Sequence, residues 1–406
     1  MKKNIGILFP GSRKMGVFQY GLSIAEGLID NVADFDYTIL YFEKESPEKF
    51  LKTKQLRNVN FVSLDGSSNN LMGKLKLAAN ILTGRPLFVA NKKNKKIFEN
   101  TKIDLLVMPF PLLLGFENNV PYIVSIPDIM HKYYPNFPEY NFLTRLKRDF
   151  VYKISSKNSI FSIVDSRQGM EDLSKFYKIN KEKIKSIPYI PPGYIFELGD
   201  MSQESADSLL LKYNLPRKFI FYPAQFWFHK NHLRLVKALK MIRDKKGLEV
   251  NLVLSGDPGA NNKNYGEIMD FIKESGVEKQ VFCLGYVEDK EMVALYKKAY
   301  ALIFPTLIGP TSIPPLEAMV LGTPILCSNL FSMPEQVGNA GILFNPFSEE
   351  DMADKISQLW NNEDLRKNLV KNAQKMADGI TRGSFTSEWK SVIKEALSKY
   401  DNGKRR

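Results

Sequence analysis

The chain has 406 residues, a length that exceeds the usual size of one hydrophobic core and predicts two domains. With 44% hydrophobic and 25% charged residues, its composition is that of an ordinary globular protein and excludes a disordered or fibrous one. The formal net charge of +13 favours an anionic partner, but it does not distinguish nucleic acid, acidic lipid headgroups and a phosphorylated substrate.

The apolar segments and cysteines indicate where the protein resides. Cys283 and Cys327 each lie in an apolar segment typical of a buried strand, which favours a reducing compartment over a disulfide framework or a thiolate metal site. The charged start is followed at once by a short strand, so we expect no signal peptide. The longest apolar stretch, residues 104–116, is too short to span a bilayer and contains two prolines. We therefore expect a cytoplasmic protein, at most peripheral on the inner face of the membrane.

Strand-like runs alternate with helix-length segments in the first half of the chain. The runs are residues 4–10, 36–42, 59–64, 103–109, 121–128 and 159–166. Such alternation predicts a parallel sheet covered by helices on both faces. The first turn, residues 9–28, passes from a strand through a loop with Gly16 into an amphipathic helix, where doubly wound sheets bind ligands.

A second series of strands and helices follows a proline-containing linker, residues 186–205. Its strand-like runs are residues 219–225, 249–256, 280–286, 300–306 and 323–328. We therefore predict two α/β domains, residues 1–192 and 193–383, with the last helix, residues 384–406, packing back on the first domain. A ligand is expected between the domains, facing the carboxyl ends of both sheets.

Residues 304–326 place a loop between a buried strand and a helix. Pro314 and Pro315 fit the start of this helix, and Gly322 fits its end. The free amides of the loop and the helix N-terminus predict an anion site. Glu317 is expected in the first helical turn, either as an acid that stabilises its helix or as a carboxylate that accepts hydrogen bonds from a ribose diol. The apolar flanks and the cleft favour the second interpretation.

A second strand, loop and amphipathic helix occupy residues 221–239. Lys230 falls in the loop just before the helix, either as a point charge for a phosphate or as a solvated lysine. His229 and His232 flank it, but no third ligand is evident, so we predict no metal site.

Four segments carry a family resemblance: residues 224–239, 284–306, 313–325 and 333–356. They resemble the nucleotide-sugar domain of the retaining glycosyltransferases of family 4, in the surface-polysaccharide branch. The resemblance implies the GT-B fold, with two Rossmann-like doubly wound parallel-sheet domains facing each other across a cleft. The first half is similar more loosely, through the loop at Gly16 and through residues 125–137, which resemble the segment that faces the acceptor.

The resemblance implies a metal-independent hexosyltransferase without a cofactor. A nucleoside-diphosphate sugar is the implied donor and a glycan, lipid-linked by expectation, the acceptor. Glu317 is implied to hold the donor ribose, and Lys230 to stabilise the leaving diphosphate. The other implied donor-binding residues are Gly16, Gln225, Ser255, Gly256, Tyr286, Gly309 and the backbone amides of Thr311, Ser312 and Ile313. Asp128 and His131 are the acceptor-side candidates; alternatively Asp128 caps a turn, His131 is a surface residue and Gly16 closes a tight turn.

Three positions depart from the family pattern. Gly309 stands eight positions before Glu317, where the family usually has a glutamate, and Gln225 stands five positions before Lys230, where it usually has an arginine. Pro127 replaces a histidine that often precedes the aspartate of the acceptor-side loop. A nucleotide-sugar epimerase of the same fold and a catalytically inactive sugar-nucleotide binding protein therefore remain as alternatives.

Basic residues gather in residues 91–98, 145–153 and 402–406, the first two beside aromatic residues. These runs are either solvated helix faces or a patch for an anionic membrane surface. We expect the membrane surface, and no nucleic acid, as a partner.

Overall fold

The computed structural model describes residues 2–10, 16–30, 34–42, 46–53, 55–66, 71–84, 91–259, 262–309 and 311–404. The chain divides into two compact units. The first unit comprises Met1–Asn136, Tyr140–Ile190 and Thr381–Arg406, and the second comprises Phe137–Glu139 and Pro191–Ile380.

Each unit is built on one parallel sheet. The strands are β1 (Asn4–Leu8), β2 (Asp36–Tyr41), β3 (Val59–Ser63), β4 (Leu105–Met108), β5 (Tyr122–Ser125), β6 (Phe161–Val164), β7 (Ile184–Ser186), β8 (Ile220–Pro223), β9 (Leu252–Ser255), β10 (Val281–Cys283), β11 (Ala301–Phe304), β12 (Ile325–Ser328) and β13 (Gly341–Phe344). Within the described ranges, the first sheet has seven strands in the order β3-β2-β1-β4-β5-β6-β7, and the second has six in the order β10-β9-β8-β11-β12-β13.

Helices connect the strands. They are α1 (Gly16–Ile29), α2 (Leu71–Thr83), α3 (Lys92–Thr101), α4 (Leu114–Glu117), α5 (Phe142–Asn158), α6 (Arg167–Tyr177), α7 (Gly193–Leu198), α8 (Gln203–Leu210), α9 (His232–Lys246), α10 (Lys263–Glu274), α11 (Asp289–Lys298), α12 (Ile313–Val320), α13 (Met333–Val337), α14 (Glu349–Trp360), α15 (Glu363–Ala377) and α16 (Arg382–Lys404). No described helix has the length and hydropathy needed to cross a bilayer.

The central strands form because their apolar runs are buried on both faces, as parallel sheets with helices on each side require. Ile5 and Ile7 of β1, and Leu302 and Ile303 of β11, have no exposed surface. This confirms the prediction of two doubly wound, Rossmann-like parallel sheets.

The strand orders place a topological switch point in each sheet. The first strand of each unit lies inside its sheet: β1 lies between β2 and β4, and β8 lies between β9 and β11. Connections leave such a strand pair in opposite directions, which opens a crevice at the carboxyl ends of the strands. In the second unit, the loops that follow β8 and β11 therefore lie side by side.

The last helix, α16, belongs to the first unit and packs against α1. The Arg382 guanidinium donates to the buried Glu26 carboxylate over 2.9 Å. Trp389 is fully buried, with its ring centroid 6.4 Å from that of Tyr20 on α1. The C-terminal end of the chain thus completes the core of the N-terminal unit.

Candidate functional site

Hydrogen bonds join the two loops at the switch point of the second sheet. The amide of Leu307, after β11, donates to the carbonyl of His229, after β8, over 2.8 Å. The Asn231 side chain donates to the carbonyl of Pro305 over 3.1 Å. The segments 221–239 and 304–326, which were identified in the sequence, therefore contact each other through their loops.

Lys230 lies in the loop before α9, two residues before the helix begins. Its carbonyl accepts a hydrogen bond from the hydroxyl of Tyr222 over 2.8 Å, which ties the loop to β8. Lys230 is half-buried, and its ammonium lies 5.6 Å from the ring centroid of Phe304, at the end of β11. The positive charge of Lys230 thus lies at the carboxyl end of the strand pair that forms the switch point.

The two histidines beside Lys230 have separate environments. His229 contacts Glu139, whose Oε1 lies 2.9 Å from the ring Nδ1 and accepts from the His229 amide over 3.1 Å. His232 is buried and stacks on Phe226 with ring centroids 4.6 Å apart. Burial, with the positive charge of Lys230, lowers the pKa of His232 to about 3, so its ring is neutral. The described residues contain no group of side chains arranged to hold a metal ion.

Glu317 lies just beyond the first turn of its helix, where the sequence predicts it within that turn. The helix α12 begins at Ile313, so Pro314 and Pro315 are its second and third residues. The N–H groups of these positions have no partner within a helix, so proline loses no helical hydrogen bond there. Glu317 is therefore the fifth helical residue, and the prediction that it lies in the first turn is wrong. The interpretation as an acid that stabilises the helix N-terminus is wrong for the same reason.

Two phenols hold the Glu317 carboxylate. The hydroxyl of Tyr296 donates to Oε2 over 2.5 Å, and that of Tyr194 donates to Oε1 over 3.3 Å. Burial raises the pKa of Glu317 to about 7, although the two hydrogen bonds act to lower it. The carboxylate is thus oriented by its neighbours and half ionised near neutral pH.

The loop before α12 differs from the free-amide loop that the sequence predicts. The amide of Ser312 donates to Oε1 of Gln336 over 2.9 Å, and the Gln336 side-chain amide donates to the Ser312 carbonyl over 2.6 Å. The expectation of a free Ser312 amide is therefore wrong. Thr311 and Ile313 are half-buried on either side of it.

Gly309 adopts a φ of 120°, a conformation that residues with a side chain rarely adopt. A Cβ at this position would lie 3.2 Å from the hydroxyl of Ser312. The backbone of the loop therefore accounts for glycine where the family pattern has glutamate.

The remaining donor-side candidates lie at the carboxyl ends of β8, β9 and β10 or just after them. Gln225 accepts a hydrogen bond from the Trp227 indole over 2.7 Å. The hydroxyl of Ser255 is buried and finds no hydrogen-bond partner among the described residues. A Cβ on Gly256 would lie 2.3 Å from the carbonyl oxygen of Ala224, so only glycine allows this close approach of two loops. Tyr286, 76% exposed, follows β10.

Three residues of the site were missed from the sequence. Tyr194 lies in the linker, and Tyr296 lies on α11, 21 residues before Glu317. Gln336 lies on α13 within one of the segments that resemble the family. No spacing or composition signal distinguishes these residues, because their roles come from contacts between separate elements.

The first unit contains Gly16, Asp128 and His131. Gly16 begins α1, and a Cβ there would meet no described heavy atom within 4 Å. The loop before it, residues 11–15, lies outside the described residues, so the interpretation that Gly16 closes a tight turn stays a prediction. Asp128 accepts from the Met130 amide over 3.1 Å, which confirms that it caps a turn.

Asp128 and His131 are both held by neighbours. The Arg148 guanidinium donates to Asp128 over 2.8 Å and, against the opposing effect of burial, lowers the pKa of its carboxyl. His131 is buried, with Nε2 3.0 Å from a carboxylate oxygen of Asp149 and 3.0 Å from the hydroxyl of Tyr177. The interpretation of His131 as a surface residue is therefore wrong.

A cavity of about 210 Å³ opens beside His131 in the first unit. Its lining combines the cationic Lys132 and Arg145, the acidic Asp149 and the apolar Phe142 and Leu146. The cavity lies at the N-terminal end of α5, and Arg145, Leu146 and Asp149 of the basic segment 145–153 contribute to its lining.

The aromatic residues of the two basic segments belong to the core. Phe98 of α3 and both Phe150 and Tyr152 of α5 are buried, so they do not contribute to a surface patch. The exposed large apolar side chains of α2 and α5 lie outside these segments or at their edge: Leu75, Leu82, Phe142, Leu143 and Leu146.

Comparisons with known proteins address the second unit most directly. Residues 211–376 match the family model described as glycosyl transferases group 1. The chain is 26% identical over 240 residues to the serotype-specific mannosyltransferase WbdA of Escherichia coli, a match that covers 59% of this chain and 28% of the relative. It is 24% identical over 260 residues to the O-antigen chain mannosyltransferase RfbU of Salmonella typhimurium, covering 64% of this chain and 62% of the relative. The chain thus spans only about a quarter of the length of WbdA.

The fold is similar to that of solved glycosyltransferase structures. Anabaena HepE in complex with UDP-glucose superposes with a TM-score of 0.74 and 17% sequence identity, covering 97% of this chain and 99% of that one. At 17% identity this likeness shows the fold alone. The family model matches only residues of the second unit, which contains Lys230 and Glu317. Residues 211–376 therefore resemble the glycosyl transferases group 1 family, and the chain has the GT-B fold.

Proposed function

We propose that the chain is a retaining glycosyltransferase that moves a hexosyl unit from a nucleoside-diphosphate sugar to a glycan acceptor in cell-surface polysaccharide synthesis. The observation that carries this proposal is that hydrogen bonds join the loop with Lys230, after β8, to Pro305 and Leu307, after β11, at the switch point of the second sheet. The mannosyltransferase relatives and the UDP-glucose complex of HepE support the same class of donor.

In the proposed mechanism, the second unit binds the donor. Glu317, oriented by two phenols, accepts hydrogen bonds from the ribose hydroxyls. The diphosphate lies near Lys230, whose ammonium stabilises the negative charge that grows as the diphosphate leaves. Because this fixed charge acts where a divalent ion would otherwise act, we propose that the reaction requires no metal. Retention at the anomeric carbon is proposed from the family resemblance.

We propose that the acceptor binds the first unit, at an anionic membrane surface that carries lipid-linked glycans. Phe142 and Leu143 at the start of α5 are 64% and 75% exposed, and Arg145 and Lys147 follow them. Apolar side chains beside cations fit the boundary between headgroups and acyl chains. Each cation near an anionic surface contributes about 1 kcal/mol, so several must act together.

Flotation with liposomes tests the membrane proposal. We expect the protein to float with anionic but not with neutral liposomes, and the double variant Phe142→Ser, Leu143→Ser to lose most of this binding. Leu211→Ser is the matched control, because Leu211 is equally exposed (75%) but lies in the second unit. Failure of the unaltered protein to bind either liposome would remove the membrane from the proposal.

Thermal-shift measurements with UDP, GDP, dTDP and CDP test donor binding. A nucleotide at 100 times its dissociation constant should stabilise the protein by about 2.7 kcal/mol. Release of nucleoside diphosphate only when acceptor is present would distinguish a transferase from an epimerase. Binding without turnover would favour an inactive binding protein, an alternative supported by Gly309 and Gln225. Steeply salt-dependent affinity for any duplex would instead indicate a nucleic-acid partner.

A further inference from the structure

The turn before α12 lacks the usual means of fixing a helix start. Ser312 is the N-cap residue, but its side chain makes no capping hydrogen bond. A serine at this position normally accepts from the amides of the second and third helical residues. Here those residues are Pro314 and Pro315, which have no N–H. Gly309, just upstream, adds no side-chain constraint to the backbone.

Gln336 replaces the missing cap with a two-point contact to the backbone of Ser312. Its carboxamide accepts from the Ser312 amide over 2.9 Å and donates to the Ser312 carbonyl over 2.6 Å. Ser312 is extended, with φ of −150° and ψ of 147°, so its N–H and C=O point to the same side. One carboxamide therefore restrains both peptide groups that flank Ser312.

Gln336 is itself held in a rigid position. It lies on α13 between Met333 and Val337, which are both fully buried. The backbone amide of Gln336 donates to the carbonyl of Ser332 over 2.8 Å. The carboxamide thus projects from a short helix that is anchored in the core of the second unit.

We propose that Gln336 is a positioning residue that holds the turn of Thr311, Ser312 and Ile313 in the shape that receives the donor diphosphate. This inference rests on the proposed function. It adds that the diphosphate site depends on a side chain that follows β12, and that the Ser312 amide serves the turn rather than the ligand. Loss of the contact loosens the turn and weakens recognition of phosphate groups, but leaves recognition of the nucleoside unchanged.

The variant Gln336→Met tests this inference, because methionine matches glutamine in length but cannot make either hydrogen bond. We expect the Kd for the preferred nucleoside diphosphate to rise about 5- to 150-fold, the range for two lost hydrogen bonds. The Kd for the parent nucleoside should change less than about twofold, and KM for the donor should rise more than kcat falls. Gln336→Ala should behave like Gln336→Met. Glu335→Gln, a change at an exposed neighbour on α13, is the matched control and should bind both ligands normally.

The outcomes separate this inference from the proposed function. If the unaltered protein binds a nucleoside diphosphate and Gln336→Met binds it equally well or more tightly, Gln336 does not position the turn, while the proposed function stands. If the Kd values of Gln336→Met for nucleoside and nucleoside diphosphate rise by the same factor, Gln336 stabilises the second unit as a whole rather than the diphosphate site. The inference is then also wrong. If the unaltered protein binds none of the four nucleoside diphosphates, both the proposed function and the inference fail.

Discussion

Replacing Glu317 with glutamine should make the protein more stable at alkaline pH while weakening donor binding. Burial raises the pKa of this carboxyl from its ordinary 4.5 to about 7. Between these values the folded state binds more protons than the unfolded state, so the contribution of Glu317 to stability falls as the pH rises from about 4.5 to 7. Above pH 7, the buried charge costs about 3 kcal/mol relative to the protonated carboxyl.

Glutamine has no charge to bury, and its carboxamide can still contact Tyr194 and Tyr296. We therefore expect Glu317→Gln to exceed the unaltered protein in free energy of unfolding by about 1 to 3 kcal/mol at pH 8, and by little at pH 4.5. The loss of the charged acceptor should weaken donor binding by about 1.5 to 3 kcal/mol.

Urea unfolding at both pH values, with isothermal titration of the nucleotide at pH 8, measures these effects. Glu335→Gln is the control for stability, because removing an exposed charge changes the free energy of unfolding little. The buried-charge argument is refuted if the free energies of unfolding of Glu317→Gln and the unaltered protein differ by the same amount at both pH values. Unchanged donor affinity would refute the role of Glu317 at the ribose.

Three further predictions concern the phosphate side of the site. Lys230→Ala should cut turnover at saturating donor by about 10² to 10³, with only partial rescue by Lys230→Arg, and retention of more than about a third of the activity would contradict the phosphate role. Gly309→Ala should lower the free energy of unfolding by about 1 kcal/mol or more, because alanine is strained at a φ of 120°; chemical denaturation measures this, and an unchanged midpoint would show that the loop relaxes. Turnover in steady-state assays should be unaffected by EDTA. If EDTA lowered turnover and Mg²⁺ or Mn²⁺ restored it, a metal ion rather than Lys230 would stabilise the charge of the diphosphate.

Much of the fold is predictable because it depends on local patterns. The apolar runs of β8 and β11 identify both strands, since a parallel strand is buried on both faces wherever it lies in the sheet. The position of Lys230 before α9 follows from a strand, a loop and an amphipathic helix in succession. The sequence also predicts that these loops meet, because a doubly wound sheet brings the carboxyl ends of its strands to one edge.

Local patterns were less reliable at the helix start. Prolines at 314 and 315 indicate a helix N-terminus, but they are compatible with its first, second or third position, since none of these requires an N–H. The structure places the start at Ile313, which moves Glu317 from the first turn to the second. A shift of one or two residues along a helix changes the direction of a side chain by 100° per residue, and with it the contacts the side chain makes.

The sequence by itself therefore determined two parallel-sheet units, the loop that carries Lys230, the helix that carries Glu317, and the resemblance to family 4. Only the tertiary structure decided the chemical environment of each residue: Glu317 is held by a tyrosine 123 positions away, and Ser312 is held by Gln336 from another helix. The reason is physical. Backbone conformation depends largely on near neighbours in the chain, whereas hydrogen-bond partners, burial and pKa depend on which distant elements pack together.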